Sequence, residues 1–204
     1  MFFYLGIEIT FGGWISSFAT ITKVTDKEGA TVFPSIFWIF MTLFRILLAF
    51  APGTSNTKLK ILILASISSG VISILIIYSG HEELACYISS MLYGLSLSSI
   101  YPLILTFPIE AGLNLEDKQI SNIVMAGVIS EGVLTMSVGW MMKYFHVNSL
   151  FYSLLFFAIA MWLTRLYCLH LINKQLESMR INELGEELQK IKWSVIYQFR
   201  ILQN

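Results

Sequence analysis

Charge is scarce in this 204-residue chain: 13 Lys and Arg stand against 13 Asp and Glu, and the formal net charge is zero. With no net charge and no basic stretch interleaved with aromatics, nothing reads as a nucleic-acid surface. Cysteine is nearly absent as well. Cys86 and Cys168 close different apolar runs far apart in the chain, an arrangement that supports neither a disulfide framework nor a thiolate metal site. His81, His146 and His170 fall in separate loops or segment ends, without Cys or carboxylate neighbours at ligand spacing. No GxSxG, Walker or Rossmann glycine pattern is present. The sequence therefore predicts no enzyme, no metal site and no organic cofactor.

What is plentiful is oil. Hydrophobic residues make up 56% of the chain, and the mean hydropathy of +0.71 is far from that of soluble domains. The pattern predicts an all-α, polytopic membrane protein embedded in a lipid bilayer. Polar breaks divide the chain into six apolar segments, each long enough to cross hydrocarbon as a helix. They run from Met1 to Ile21, Thr31 to Phe50, Ile61 to Tyr78, Leu84 to Phe107, Ile120 to Met142 and Ser149 to Leu171. Pro34 falls in the first turn of the second, where a missing N–H does no harm, and Pro102 is expected to bend the fourth near one end. No Lys or Arg precedes the first run and no small-residue cleavage site follows a short core, so it reads as a span rather than a signal peptide.

The first segment, MFFYLGIEITFGGWISSFATI, carries one carboxylate, Glu8. An ionised side chain at mid-membrane costs at least about 2.5 kcal/mol on insertion scales, so it normally faces protein or a watery cavity. Glu8 is therefore a candidate for an ion or substrate path. Tyr4 shares its face, while Thr10, Trp14 and Ser17 form another, with Trp14 a further path candidate. The fifth segment holds the second buried acid, Glu131, in a stripe with Gly127, Thr135 and Gly139 at four-residue steps. Close helix packing and a transport role both fit such a stripe. In the fourth segment, SSMLYGLSLSSIYP clusters hydroxyls that can bond the carbonyl one turn back. Two tyrosines among them suit a neutral polyol through hydrogen bonds and ring stacking, which makes Tyr93 and Tyr101 candidate solute contacts. Arg45, near the end of the second segment, either snorkels to the interface or forms a structural salt bridge.

Letting the segments alternate direction, a cytoplasmic Met1 places Arg45, Lys58, Lys60, Lys118, Arg165 and Lys174 inside, and only Lys23, Lys27 and Lys143 outside. That bias follows the positive-inside rule and predicts both ends cytoplasmic. Residues 1–173 thus form a predicted six-helix bundle. Residues 174–204 turn charged, with Ile181, Leu184, Leu188, Ile191, Val195 and Phe199 at three- and four-residue steps, which predicts an amphipathic cytoplasmic helix. It suits either the membrane surface or a protein partner.

The stretches FFYLGIEITFGGWISSFAT, PSIFW with Arg45 closing the same helix, MLYGLSLSSIYP, and VISEG around Glu131 resemble the C-terminal half of a major facilitator superfamily transporter. Within that superfamily the stretches resemble the sodium-dependent glucose transporter branch, related to the fucose permeases. The resemblance covers residues 1–173, and Gly-Ile-Glu-x-Thr-Phe-Gly-Gly-Trp is its most specific piece. One departure is LTMSVG after Glu131, where family members tend to carry a proline. The resemblance implies a three-plus-three arrangement, with segments one and four lining a central cavity, two and five flanking the seam between halves, and three and six outside. It also implies movement of a hexose or similar small polar solute, facilitated or coupled to Na+ or H+. The family's full chain has twelve spans and this one begins where its seventh should. The expected partner is accordingly a missing N-terminal six-helix half or a second copy. An alternative expectation is a membrane-embedded structural or assembly subunit that kept the fold, lost transport and uses residues 174–204 to bind its complex.

Overall fold

The computed structural model describes residues 1–50, 61, 64, 67, 68, 71, 72, 82–110, 116–168, 170, 171 and 174, with backbone only at 107–110. Among them the chain is helical throughout, without a strand: α1 (Phe2–Ile21), α2 (Lys27–Ala30), α3 (Val32–Phe50), α4 (Glu83–Ser98), α5 (Ile100–Glu110), α6 (Asp117–Tyr144) and α7 (Ser149–Cys168). The chain divides into two compact units, Met1–Trp162 and Leu163–Asn204, and all the packing described below lies in the first. The amphipathic helix expected over 174–204 lies outside the described residues except for Lys174, and the third expected span is described only at its helical residues 61, 64, 67, 68, 71 and 72.

Four stretches are long and apolar enough to cross a bilayer: Lys27–Phe50, Glu83–Thr106, Asp117–Tyr144 and Ser149–Cys168. The six-span expectation therefore stands at four among the described residues. α1, at 20 residues, has the length but is not among the four, and its apolar residues are interrupted by Glu8, glycines, serines and threonines. Those interruptions suit its place. α1 packs along α6 on one side and against α3 on another, with Tyr4, Ile7, Phe11, Ile15 and Phe18 wholly buried. A helix enclosed by its neighbours does not need to be oily on every face, whereas one that meets lipid does.

The surrounding helices show the complementary pattern. α3 exposes Ile39, Leu43, Ile46, Leu47 and Phe50, and α6 exposes Met125, Val128, Ile129, Val133 and Met136. Apolar stripes of this extent, at about 25 cal/mol for each Å² left in water, mark a surface that lipid or another bundle covers. The chain is an integral membrane protein.

Local signals set the helix ends. α1 stops where Thr22 caps it and Lys23 turns left-handed, at φ 55°. Val24 N then donates to Ala19 O at 3.0 Å and Lys23 N to Thr20 O at 3.3 Å, so the last carbonyls are satisfied. Asp26 caps α2 by accepting from Gly29 N at 2.9 Å. Pro34 sits in the first turn of α3, as its missing N–H requires. α6 opens on a capping box between Glu116 and Gln119 and closes near Lys143, a cation at the negative end of the helix dipole. α3 and α4 approach closely because Gly94 faces the backbone of Phe37 and Met41, where no β-carbon fits.

Candidate functional site

The site begins with a proline. Pro102 has no N–H to give to the carbonyl four residues back, and its ring pushes that carbonyl aside. The helix accordingly breaks at Ser99, separating α4 from α5, and the carbonyl left without its helical donor is that of Ser98. At bilayer depth lipid offers no substitute donor. Arg45 of α3 supplies one, with Nε 3.4 Å from Ser98 O.

The same guanidinium reaches α1. Its Nη2 donates to the Tyr4 hydroxyl at 2.7 Å and lies 3.2 and 3.3 Å from the two Glu8 oxygens. Tyr4 and Glu8 are one turn apart, so both meet the same cation from one helix face. Tyr101, one residue before the proline, places its ring centroid 5.9 Å from the Arg45 guanidinium carbon and 6.4 Å from the Tyr4 ring. Three helical segments thus converge on one charge. The Glu8 side chain is 6% exposed and that of Arg45 is 36% exposed, so the carboxylate is sealed behind the guanidinium. Of the two readings of Arg45, the geometry is that of an ion pair within the bundle.

The other face of α1 is built differently. The Gly127, Thr135 and Gly139 positions of the α6 stripe all abut α1: Gly127 lies against Leu5, Thr135 Oγ1 is 3.1 Å from Thr10 Oγ1, and Gly139 lies under the Trp14 indole. Trp14 Nε1 also donates to Thr135 O at 3.0 Å. A β-carbon at Gly139 has no room beside the indole, so glycine there is required by close approach. Trp14 is therefore part of the α1–α6 seam, half-buried and away from Arg45. Glu131 occupies the second place in the stripe, half-buried and within electrostatic reach of Glu8. Among the described residues no cation or hydrogen-bond donor pairs with it.

Tyr93 is wholly buried, with its ring stacked on Phe11 at 4.3 Å and 19°. It stands in the wall between α1 and α4, whereas Tyr101 is half-exposed. Ser89, Ser96 and Ser98 bond carbonyls three residues back, as expected of hydroxyls in an oily helix. The structure thus brings Glu8, Arg45 and Tyr101 together, sets Trp14 in the α1–α6 seam, and leaves Glu131 on α6 within electrostatic reach of Glu8. The sequence reading did not identify Tyr4 or the Ser98 carbonyl as partners of Arg45. The signal for Ser98 was present, since a proline at position 102 frees the carbonyl at 98. No group of three His, Cys, Asp or Glu among the described residues is placed to hold a metal ion.

Comparison with known proteins gives the same direction as the Gly-Ile-Glu run. The chain is similar to sodium-dependent glucose transporter 1A of Mus musculus, 32% identical over 106 residues that make up 50% of this chain and 24% of that protein. Sodium-dependent glucose transporter 1 of Homo sapiens is 29% identical over 106 residues, 50% of this chain and 19% of that one. The Xenopus laevis protein of the same name is 25% identical over 151 residues, 71% of this chain and 29% of its own length. The matched part thus spans less than a third of these curated relatives. The expected likeness to sodium-dependent glucose transporters is borne out over about half of the chain. No family model and no solved structure matches it.

Proposed function

We propose that this chain forms six spans of a secondary transporter that moves a small polar solute of hexose type across a membrane, coupled to Na+ or H+. The observation that carries the reading is the Arg45–Glu8–Tyr4 cluster beside half-exposed Tyr101, a polar centre inside helices built for lipid. Charges at this depth are expensive and cluster at substrate and ion paths. The names of the relatives above supply the solute and ion classes.

In this reading each acid has its own task. Glu8 holds Arg45, and its charge is already compensated. Glu131, half-buried on α6 with no counter-charge among the described residues, receives the coupling cation. Tyr101 contacts the solute, and Tyr93 with Phe11 forms the wall behind it. The excess of Lys and Arg in alternate loops supports a cytoplasmic place for both ends. Alternating access rocks one six-helix half against another around a central site, so a second bundle completes the transporter, either an N-terminal half or a second copy.

Uptake of radiolabelled D-glucose into proteoliposomes containing the protein, alone and together with an N-terminal six-helix half supplied as a second chain, with and without an inward Na+ gradient, tests the reading. Uptake that rises with the gradient in at least one of the two preparations is expected. Uptake no greater than that of empty liposomes in both contradicts it and favours the structural-subunit alternative.

A further inference from the structure

Resting on the transport reading above, we infer that the exposed edge of Arg45 with Tyr101 is a subsite for an uncharged, hydroxyl-rich solute, and that Glu8 sets this preference by cancelling the arginine charge. An arginine presents five N–H donors in a planar fork. Here Nε is taken by the Ser98 carbonyl and Nη2 by Tyr4 and Glu8. Nη1, with two further N–H groups, has no acceptor among the described residues.

Burial decides which part of the pair meets a visitor. The Arg45 side chain is 36% exposed and that of Glu8 only 6%, so of the two charged partners it is the arginine that a visitor can meet. A bare guanidinium in such a place recruits carboxylate or phosphate through paired charged hydrogen bonds. Arg45 is not bare: the Glu8 oxygens at 3.2 and 3.3 Å make the dyad neutral, and an arriving anion gains no net charge while meeting a buried carboxylate close behind. A hydroxyl is not penalised in this way, since it needs only a donor or an acceptor. Tyr101 adds a phenol that both donates and accepts, and its ring, held 5.9 Å from the guanidinium, offers a face to the C–H side of a sugar. The set matches a neutral polyol and discriminates against the same skeleton carrying a carboxylate.

The test uses the purified protein in lipid nanodiscs, with radiolabelled D-glucose displaced by unlabelled D-glucose or by D-glucuronate, which differ by a carboxylate at one carbon. In the wild type, glucuronate is expected to compete at least about tenfold less well than glucose, and Glu8→Gln to close that gap or reverse it. Glu8→Asp, which keeps the charge, should retain the wild-type order of preference. Equal competition by the two sugars in the wild type overturns the inference without any variant. So does a Glu8→Gln protein that binds glucose with the preference unchanged. If the wild type binds no glucose, this inference falls and the uptake experiment above decides the transport reading; if it binds glucose and glucuronate equally, the transport reading stands and this inference alone fails.

Discussion

The two long faces of α1 solve the same problem by different chemistry. Toward α3 and the α4–α5 break, α1 presents Tyr4 and Glu8 to Arg45, and the contact is held by an ion pair and a hydroxyl. Toward α6 it presents Leu5, Thr10 and Trp14 to Gly127, Thr135 and Gly139, and the contact is held by close approach, one hydroxyl pair and one indole N–H bond. The first face carries its acid compensated and sealed; the second leaves Glu131 half-buried and, among the described residues, without a counter-charge. The two acids thus differ in setting, one paired with a guanidinium and the other without a counter-charge among the described residues, while lying within electrostatic reach of each other. The proposed transport role rests on that difference.

The largest effect should come from breaking the first face. Arg45→Met leaves Glu8 buried without its cation and the Ser98 carbonyl without its donor, and removing one member of a buried pair costs about 3–5 kcal/mol. Thermal unfolding in detergent micelles should show a large fall in Tm. Adding Glu8→Gln to Arg45→Met should recover much of it, because the double variant removes both charges. A double variant no more stable than the single one would mean that the pair is incidental to the fold.

A smaller loss is expected on the second face. Gly139→Val drives a side chain into the Trp14 indole, and such overpacking costs about 1–3 kcal/mol. Gly13→Ala serves as the contrast, since nothing lies within 4 Å of a β-carbon there and the variant should melt with the wild type. Equal Tm for the two variants would show that the α1–α6 seam does not depend on close approach. The smallest effect should follow Thr10→Val, which deletes the 3.1 Å contact to Thr135. Interhelical hydrogen bonds in membranes average about 0.6 kcal/mol, so the shift should be a fraction of that caused by Arg45→Met.

The sequence revealed the helices and much of this division. Apolar runs bounded by polar breaks located α3, α6 and α7 closely, because length and hydropathy follow directly from the thickness of hydrocarbon. The four-residue step from Gly127 to Gly139 fitted close helix packing and a transport role equally, and did not say which helix would meet it. Three features were less visible. The break between α4 and α5 falls at Ser99, three residues before the proline that causes it, because proline acts on the carbonyl one turn back. The destination of Arg45 depended on tertiary packing: position 45 is far from 4, 8 and 98 in sequence, and snorkelling remained an equal alternative until the helices were placed. The burial of α1 was hidden for a related reason, since a diluted span looks alike whether it lines a cavity or fills a core.

The division of labour between the acids can be tested directly with dicyclohexylcarbodiimide, which modifies carboxyls at bilayer depth, followed by peptide mass spectrometry with and without Na+. Labelling on Glu131 that Na+ suppresses, with Glu8 unmodified behind Arg45, is the result expected here. Labelling on Glu8 with Glu131 silent would contradict it.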